Sequence, residues 1–325
     1  MLEYRKARAE EAADILDFIN YVFSQAHRPH DFKKFNPAMY GGDYPFWKEH
    51  YVAVRDGRIK ATLSISKRES DCAGVHLTRG HVGQVSVHPY ERGEGHMKHL
   101  MRMADEDMAA AGYDYAELNG LRQRYQYFGY TQGGVRYALD VTPTNIRHTL
   151  GEAEPRLIWR DGALLDAAGA QRGTLNGGRL TLDDYSLAAD ACAAYFKATG
   201  ADSLCVSAAP YETACLRAVG AFCENTALKH TMQYRVYHFD RVLRAGLGLR
   251  AAAGLLPDGE ATLNVEGEAW HMACRGGKVT VETGDPAAAP ALTLIRHTAV
   301  TNSRFQILMI VPPLQGSFSL RGPEG

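Results

Sequence analysis

The chain has 325 residues, of which 46% are hydrophobic, and its 36 Lys plus Arg nearly balance 37 Asp plus Glu. That length allows two or three domains with substantial cores, and the charge balance, with no basic run, argues against nucleic acid as a partner. Six cysteines without a CxxC pair point to buried thiols in a reducing compartment rather than to disulfides or zinc. The charged start "MLEYRKARAEEAADIL", with no window of about 18 apolar residues, predicts a cytoplasmic protein without a membrane segment.

Residues 4–23 predict a short strand and then a helix, with Ala12, Ile15, Leu16, Ile19 and Phe23 near helical spacing. Residues 24–47 read as a long aromatic-rich loop, which in a compact domain is more often a lid than filler. It carries His27, Arg28, His30, Lys33 and Lys34 against few acids, a balance that disfavours a polycation if the loop lines a pocket. "YVAVRDGRIKATLSISKRE" gives two alternating strands around Asp56-Gly57, a hairpin signal. "HVGQVSV" is a further strand, and Met97, Leu100, Met101, Ala104 and Met108 form one stripe of a helix, so Arg92-Gly93-Glu94-Gly95-His96 is the corner between them. Gly112 is a C-cap, "YDYAEL" a strand, "LRQRYQYFG" a short helix and "VRYALDV" a last strand. The order is βα, β hairpin, βαβαβ.

At such a corner the first helical amides have no backbone partners, and the helix dipole places partial positive charge there. A phosphate is a natural occupant, and glycines let the backbone approach it. Corners of this kind are common, and most only turn the chain.

With that corner at its centre, the stretch 1–145 resembles the GNAT superfamily of acetyl-CoA-dependent acetyltransferases. Val85, Val87, Pro89, Arg92 and Gly95 match its V-x-V-x-P and Arg/Gln-x-x-Gly-x-Gly/Ala pattern, and Met97 stands where a second small residue is usual. A bulky apolar residue there and the later Phe128-Gly129-Tyr130 resemble the branch of the enhanced intracellular survival acetyltransferases. The resemblance implies a mixed α/β (α+β) sheet and acetyl-CoA as co-substrate, with acetyl transfer to a primary amine such as an aminoglycoside or a lysine side chain. Attack would be direct, in a ternary complex, and the enzyme a homo-oligomer.

Acyl transfer to an amine needs the thioester held and polarised, the amine deprotonated and the thiolate protonated. Backbone groups of Val85, Ser86 and Val87 would pair with the pantetheine arm like an added strand and polarise the carbonyl. Amides of Gly93, Glu94, Gly95, His96, Met97 and Lys98 would cradle the pyrophosphate, with Arg92 adding charge and Asn119 and Gly120 flanking the cofactor. In the resembled branch the tyrosine three residues before the Phe-Gly-Tyr phenylalanine protonates the thiolate; that position is Tyr125, with Tyr127 its rival. His96 and His99 lack a third ligand at a recognisable spacing, so no metal is expected. Glu117 and the triplet Asp105, Glu106, Asp107 are possible bases, but the triplet falls on a polar helix face, and the base stays unassigned. The resembled branch uses its terminal carboxylate as a base; this chain ends "SLRGPEG" without the aromatic terminus, so Gly325 is left out of the site.

Residues 187–236 repeat the second half of the first domain, Gly112 pairing with Gly200, Asp114 with Asp202 and Gly129 with Gly220. The repeat lacks the Arg-x-x-Gly turn, and Asp183-Asp184 occupy its helix start, where they cap the amides and repel a pyrophosphate. From 237 on, a helix precedes a three-stranded meander turning at Glu266-Gly267 and Gly276-Gly277, and 291–310 are mixed, a layout resembling a sterol-carrier-like module. The expected architecture is therefore a catalytic GNAT domain (1–145), a degenerate GNAT-like domain (146–236) and a sterol-carrier-like α+β domain (237–325). Rival readings are a tandem-GNAT aminoacyl or thiol acyltransferase and a non-catalytic acyl-CoA or lipid-binding protein.

Overall fold

The structure is a computed structural model that describes residues 1–26, 29–265, 268–285 and 292–294. His27, Arg28, the Glu266-Gly267 turn, most of 291–310 and Gly325 lie outside the described residues. In chain order the elements begin with β1 (Leu2–Lys6), α1 (Ala12–Ala26), α2 (Phe32–Phe35), α3 (Pro37–Tyr40), β2 (His50–Arg55), β3 (Arg58–Cys72), β4 (Val75–Val87), α4 (His96–Ala110), β5 (Tyr115–Leu118) and α5 (Arg122–Gln126). They continue with β6 (Thr131–Val141), α6 (Pro143–Leu150), β7 (Ile158–Arg160), β8 (Ala163–Leu165), β9 (Gln171–Asn176), β10 (Arg179–Leu182), α7 (Ala188–Thr199), β11 (Leu204–Ala208), α8 (Thr213–Gly220) and β12 (Asn225–Val236). Last come α9 (Phe239–Ala252), β13 (Gly259–Val265), β14 (Glu268–Arg275), β15 (Lys278–Thr283) and β16 (Leu292–Leu294). Contacts gather the described chain into two units, one of residues 1–132 and 232–245, the other of 133–231 and 246–294.

In the first unit the strand order is β1-β2-β3-β4-β5, and β5 is then flanked by residues 233–236 of β12. One face packs on α4, whose Leu100, Met101, Ala104 and Met108 meet Ala53, Leu63 and Val82 of the sheet. Truncating a residue as enclosed as Leu100 to Ala would cost about 2–5 kcal/mol. The other face packs on Ile15 and Ile19 of α1, together with Phe32, Met39, Tyr40 and Phe46. The stretch expected as a loop lid is thus partly core. The Asp31 carboxylate accepts the amides of Lys33 and Lys34 to start α2, Pro37 starts α3, and Lys33 and Lys34 stay exposed.

The Asp56-Gly57 hairpin forms as expected, both residues in the left-handed region. A second hairpin, at Ala73-Gly74, makes β3 and β4 far longer than the pattern indicated. Between Thr62↔Ser86 and Ser64↔Gly83 β4 holds one extra residue, a bulge at which Gln84 has φ 47°. Strict alternation would put Val82 and Val85 on opposite faces; the bulge returns Val85 and Val87 to the α4 side with Val82.

The second unit pairs β6 with β11, Leu204 opposite Val141, and holds a four-stranded sheet in the order β10-β9-β8-β7. Its core includes Leu139, Leu164, Leu175, Cys192, Val206 and Val219. Gly200 repeats the left-handed cap of Gly112, with φ 67° against 71°. The other equivalences are looser: Asp114 is buried and Asp202 exposed, and Gly220 lies within α8 without the positive φ of Gly129. The meander β13-β14-β15 forms, and β16 adds parallel to β13. Of the cysteines, Cys192, Cys215 and Cys274 are buried and Cys205 is exposed; burial pushes the Cys192 thiol up to about 12.

Candidate active site

The site begins where two parallel strands part. β4 pairs with β5 only through Arg79↔Tyr115, Gly80↔Ala116 and His81↔Glu117. Beyond His81, β4 runs on through the bulge to Val87 with β3 as its partner, so its β5-facing edge is open over the residues that include Val85, Ser86 and Val87. An open edge is a template for an extended ligand. Ser86 is buried, and its hydroxyl has no partner among the described residues.

The same strand leads into the glycine corner. Gly93 and Gly95 have φ 93° and 81°, and no atom lies within 4 Å of where a Cβ would stand on either, so backbone conformation rather than crowding calls for glycine there. The Glu94 amide bonds to the Glu91 carbonyl at 3.4 Å, and regular α4 bonding begins with His99 N to Gly95 O at 3.1 Å. Among the described residues nothing accepts from the amides of Gly93, Gly95, His96, Met97 and Lys98. The exposed Arg92 has no carboxylate partner among those residues either. Beneath the corner Glu91 takes Arg55 at 2.9 Å, Lys60 at 3.4 Å and His96 at 3.2 Å; the His96 hydrogen bond chiefly holds its carboxyl below the usual range.

His96 turns its ring inward, with Nδ1 2.8 Å from the Tyr4 hydroxyl, so it offers the corner its amide and not its imidazole. His99 stacks on Tyr4 at 3.8 Å. Among the described residues no group of three or more His, Cys, Asp or Glu is placed to hold a metal.

Tyr125 is 5% exposed, and Tyr127 is 58% exposed. A Cβ on Gly120 would stand 2.3 Å from Cε2 of Tyr125, so this glycine makes room for the tyrosine ring. Burial raises the Tyr125 hydroxyl above its ordinary value, against a smaller opposing effect of Arg124, which keeps it protonated at neutral pH as a proton donor must be. Tyr127 lies over Lys98 at 5.0 Å, and that ammonium lowers its hydroxyl. A cleft of about 620 Å³ is lined by Arg102, Asp105, Gln126, Tyr127, Tyr130 and Arg235 among others; it includes neither the open edge nor the corner amides.

Asn119 is exposed at the end of β5. That end is fastened by a residue the sequence reading missed, Gln233, whose Nε2 donates to the Gly120 carbonyl at 2.6 Å. Of the possible bases, Asp105 is occupied by Arg235 at 2.8 Å and the Tyr237 hydroxyl at 2.7 Å. Asp107 takes Lys6 at 3.0 Å and the Tyr51 hydroxyl at 2.9 Å, and Glu106 is exposed. Glu117 is buried, on the last rung before the strands part.

Residues 3–133 match the family model described as an acetyltransferase (GNAT) domain. No curated protein matches the chain. Among solved structures, a GCN5-related N-acetyltransferase from Anabaena variabilis is 13% identical, with TM-score 0.62 over 91% of this chain and 88% of that one. One from Kribbella flavida is 16% identical, with TM-score 0.57 over 88% and 84%. Eis1 from Mycobacterium abscessus is 11% identical, with TM-score 0.54 over 91% and 88%. At such identities these likenesses speak for the fold alone. Among the described residues no helix is long and apolar enough to cross a membrane. The chain carries, in residues 3–133, an acetyltransferase domain of the GNAT family and is an acyltransferase.

Proposed function

We propose that the domain moves the acetyl group of acetyl-CoA to a primary amine by direct attack in a ternary complex. The observation that carries this reading is the run from an open β4 edge into five unpartnered corner amides. The edge at Val85, Ser86 and Val87 suits a peptide-like pantetheine arm, and the amides from Gly93 to Lys98, with Arg92 beside them, suit a pyrophosphate. Asn119 and Gly120 close the other side, and Tyr125 protonates the departing thiolate. The acceptor is a small amine, the resembled branch pointing to aminoglycosides or lysine side chains.

The middle repeat is a degenerate, structural unit, in line with the acid that caps the turn leading into α7. The segment from 237 on is sterol-carrier-like, in line with a helix followed by an antiparallel meander. The whole works in the cytoplasm as a homo-oligomer. Thiol release from acetyl-CoA over a panel of amines tests the central reading: amine-dependent release supports it, and acetyl-CoA binding without turnover on any amine would replace it with a non-catalytic acyl-CoA-binding role.

A further inference from the structure

The last rung before β4 and β5 part carries a polar row on the face opposite α4. Gly80 and Val82 face α4, so His81 and Gly83 face away from it, as does Glu117 between Ala116 and Leu118. Cross-strand register aligns Ser66 with His81, His81 with Glu117 and Glu117 with Tyr234. The His81 Nδ1 lies 3.6 Å from a Glu117 oxygen, the imidazole side chain being 38% exposed and the carboxylate 8%. A carboxylate on that side favours the proton on Nδ1 and leaves the Nε2 lone pair free.

The other end of the ring leans along the strand. His81 Cδ2 and Nε2 lie 3.7 and 3.9 Å from where a Cβ on Gly83 would stand. Gly83 directly precedes the Gln84 bulge, on the stretch beyond His81 where the β5-facing edge is open. The free nitrogen therefore faces the place where a thioester lying on that edge would meet an amine. Other histidines near the strand are committed. His50 is sealed in the core with Nδ1 on Thr62 at 2.9 Å; His96 sits between Tyr4 and Glu91; His88 packs among Phe18, Tyr21 and Tyr90.

We propose that His81 is the general base of the transfer and that Glu117 is its positioning residue, an assignment that rests on the acetyl-transfer reading above. The amine nitrogen attacks the thioester carbonyl and forms the C–N bond while Nε2 of His81 takes its proton. The C–S bond breaks, and the thiolate takes the Tyr125 proton; solvent then carries a proton from His81 back to Tyr125. The charged and titratable groups around the imidazole are Glu117 on β5, with Tyr234 beyond it, and Arg79 on its own strand, 3.5 Å from Glu117. From β3, Ser66 faces it, its hydroxyl donating to Glu49, and α1 meets this strand farther along, at His88.

The test is the pH profile of kcat/KM for the amine in the full chain. His81→Gln should lower kcat by roughly 10²-fold or more and abolish the acidic limb, with acetyl-CoA affinity unchanged by calorimetry. Added imidazole should restore part of the rate to His81→Ala. Glu117→Gln should cost less, lowering kcat with acetyl-CoA affinity unchanged, because the imidazole loses the carboxylate beside Nδ1; Glu117→Asp should restore part of the rate, which a merely structural role would not require. His76→Gln, near the far end of the same strand, should change nothing. A folded His81→Gln protein with wild-type turnover and an intact acidic limb overturns the assignment while leaving acetyl transfer standing. Absence of thiol release from the wild type on every amine removes the acetyl-transfer reading itself, and the base with it.

Discussion

The helices α4 and α7 end alike and begin as opposites. Each stops at a left-handed glycine, Gly112 or Gly200, that leads into a strand. At its start, α4 has Gly95 and open amides. The lead into α7 is capped by Asp184, which accepts from the Ser186 amide at 2.8 Å and the Ser186 hydroxyl at 2.7 Å. In the first turn of α7 the buried Asp190 accepts Arg156 through its backbone amide and its guanidinium. Both helices have the same dipole, worth about half a charge at the N-terminus. At one start the amides are open, and at the other an acid caps the short turn that leads in, α7 itself having no side-chain cap. The same glycine stop can therefore follow helix starts of opposite character, set by two or three residues at a single corner.

The widest contrast between the two starts comes from giving α4 an acid of its own. Gly95→Asp should cut acetyl-CoA affinity by roughly 10²-fold or more, since a carboxylate would occupy the anion position and the left-handed backbone adds about 1 kcal/mol of strain. Calorimetry on the folded variant checks this, and unchanged affinity would erase the distinction between the helices. Tyr125→Phe should lower turnover by roughly 10²-fold at nearly constant acetyl-CoA affinity, and Tyr127→Phe should have little effect; steady-state kinetics showing the reverse ranking would transfer the acid role to the residue over Lys98. Titration of the full chain should find one acetyl-CoA per chain, and none in Gly95→Asp. A stoichiometry of two would mean that the α7 corner binds despite its acids.

The smallest effect concerns stability. Burial pushes the Asp190 carboxyl up, but the Arg156 hydrogen bonds outweigh it and hold the group below its ordinary value. A depressed folded-state value stabilises above the unfolded value, about 3.9, and the benefit is lost as pH falls through the folded one. Asp190→Asn should therefore lower the Tm at pH 7 and have a progressively smaller effect as the pH falls below about 4, as a series of thermal melts would register.

What could be read in advance followed from local rules. The Leu100, Met101, Ala104, Met108 stripe, the Asp56-Gly57 turn and the Gly112 cap are each decided by a few neighbouring residues. The Gln84 bulge was not legible, because glutamine carries no preference for the left-handed region that its place between paired strands imposes. Ala73-Gly74 was missed for the same reason at alanine. Phe32, Met39, Tyr40 and Phe46 follow no helical or strand period, so their burial could not be told from an aromatic loop. At the candidate site, the corner and its glycines were visible as a motif. Gly120 was read as a cofactor flank, and the room its missing side chain leaves for the Tyr125 ring is a packing relation that no local pattern announces. The pairing of His81 with Glu117 depends on a parallel register 36 residues apart that no local pattern encodes.

The neighbour of β5 has a consequence for how the enzyme is made. Gln233, Tyr234, Arg235 and Val236 pair with a strand that ends at Leu118, so more than a hundred residues leave the ribosome before that edge is covered. Until then a nascent chain presents bare amides and carbonyls beside the fork between β4 and β5, a surface open to mispairing with other chains. Such a long-range closure is slow to find. Synthesis halted after residue 145 would release a β5 lacking both its outer partner and the Gln233 clasp on Gly120, so the acetyltransferase half depends for completion on codons translated long after its own.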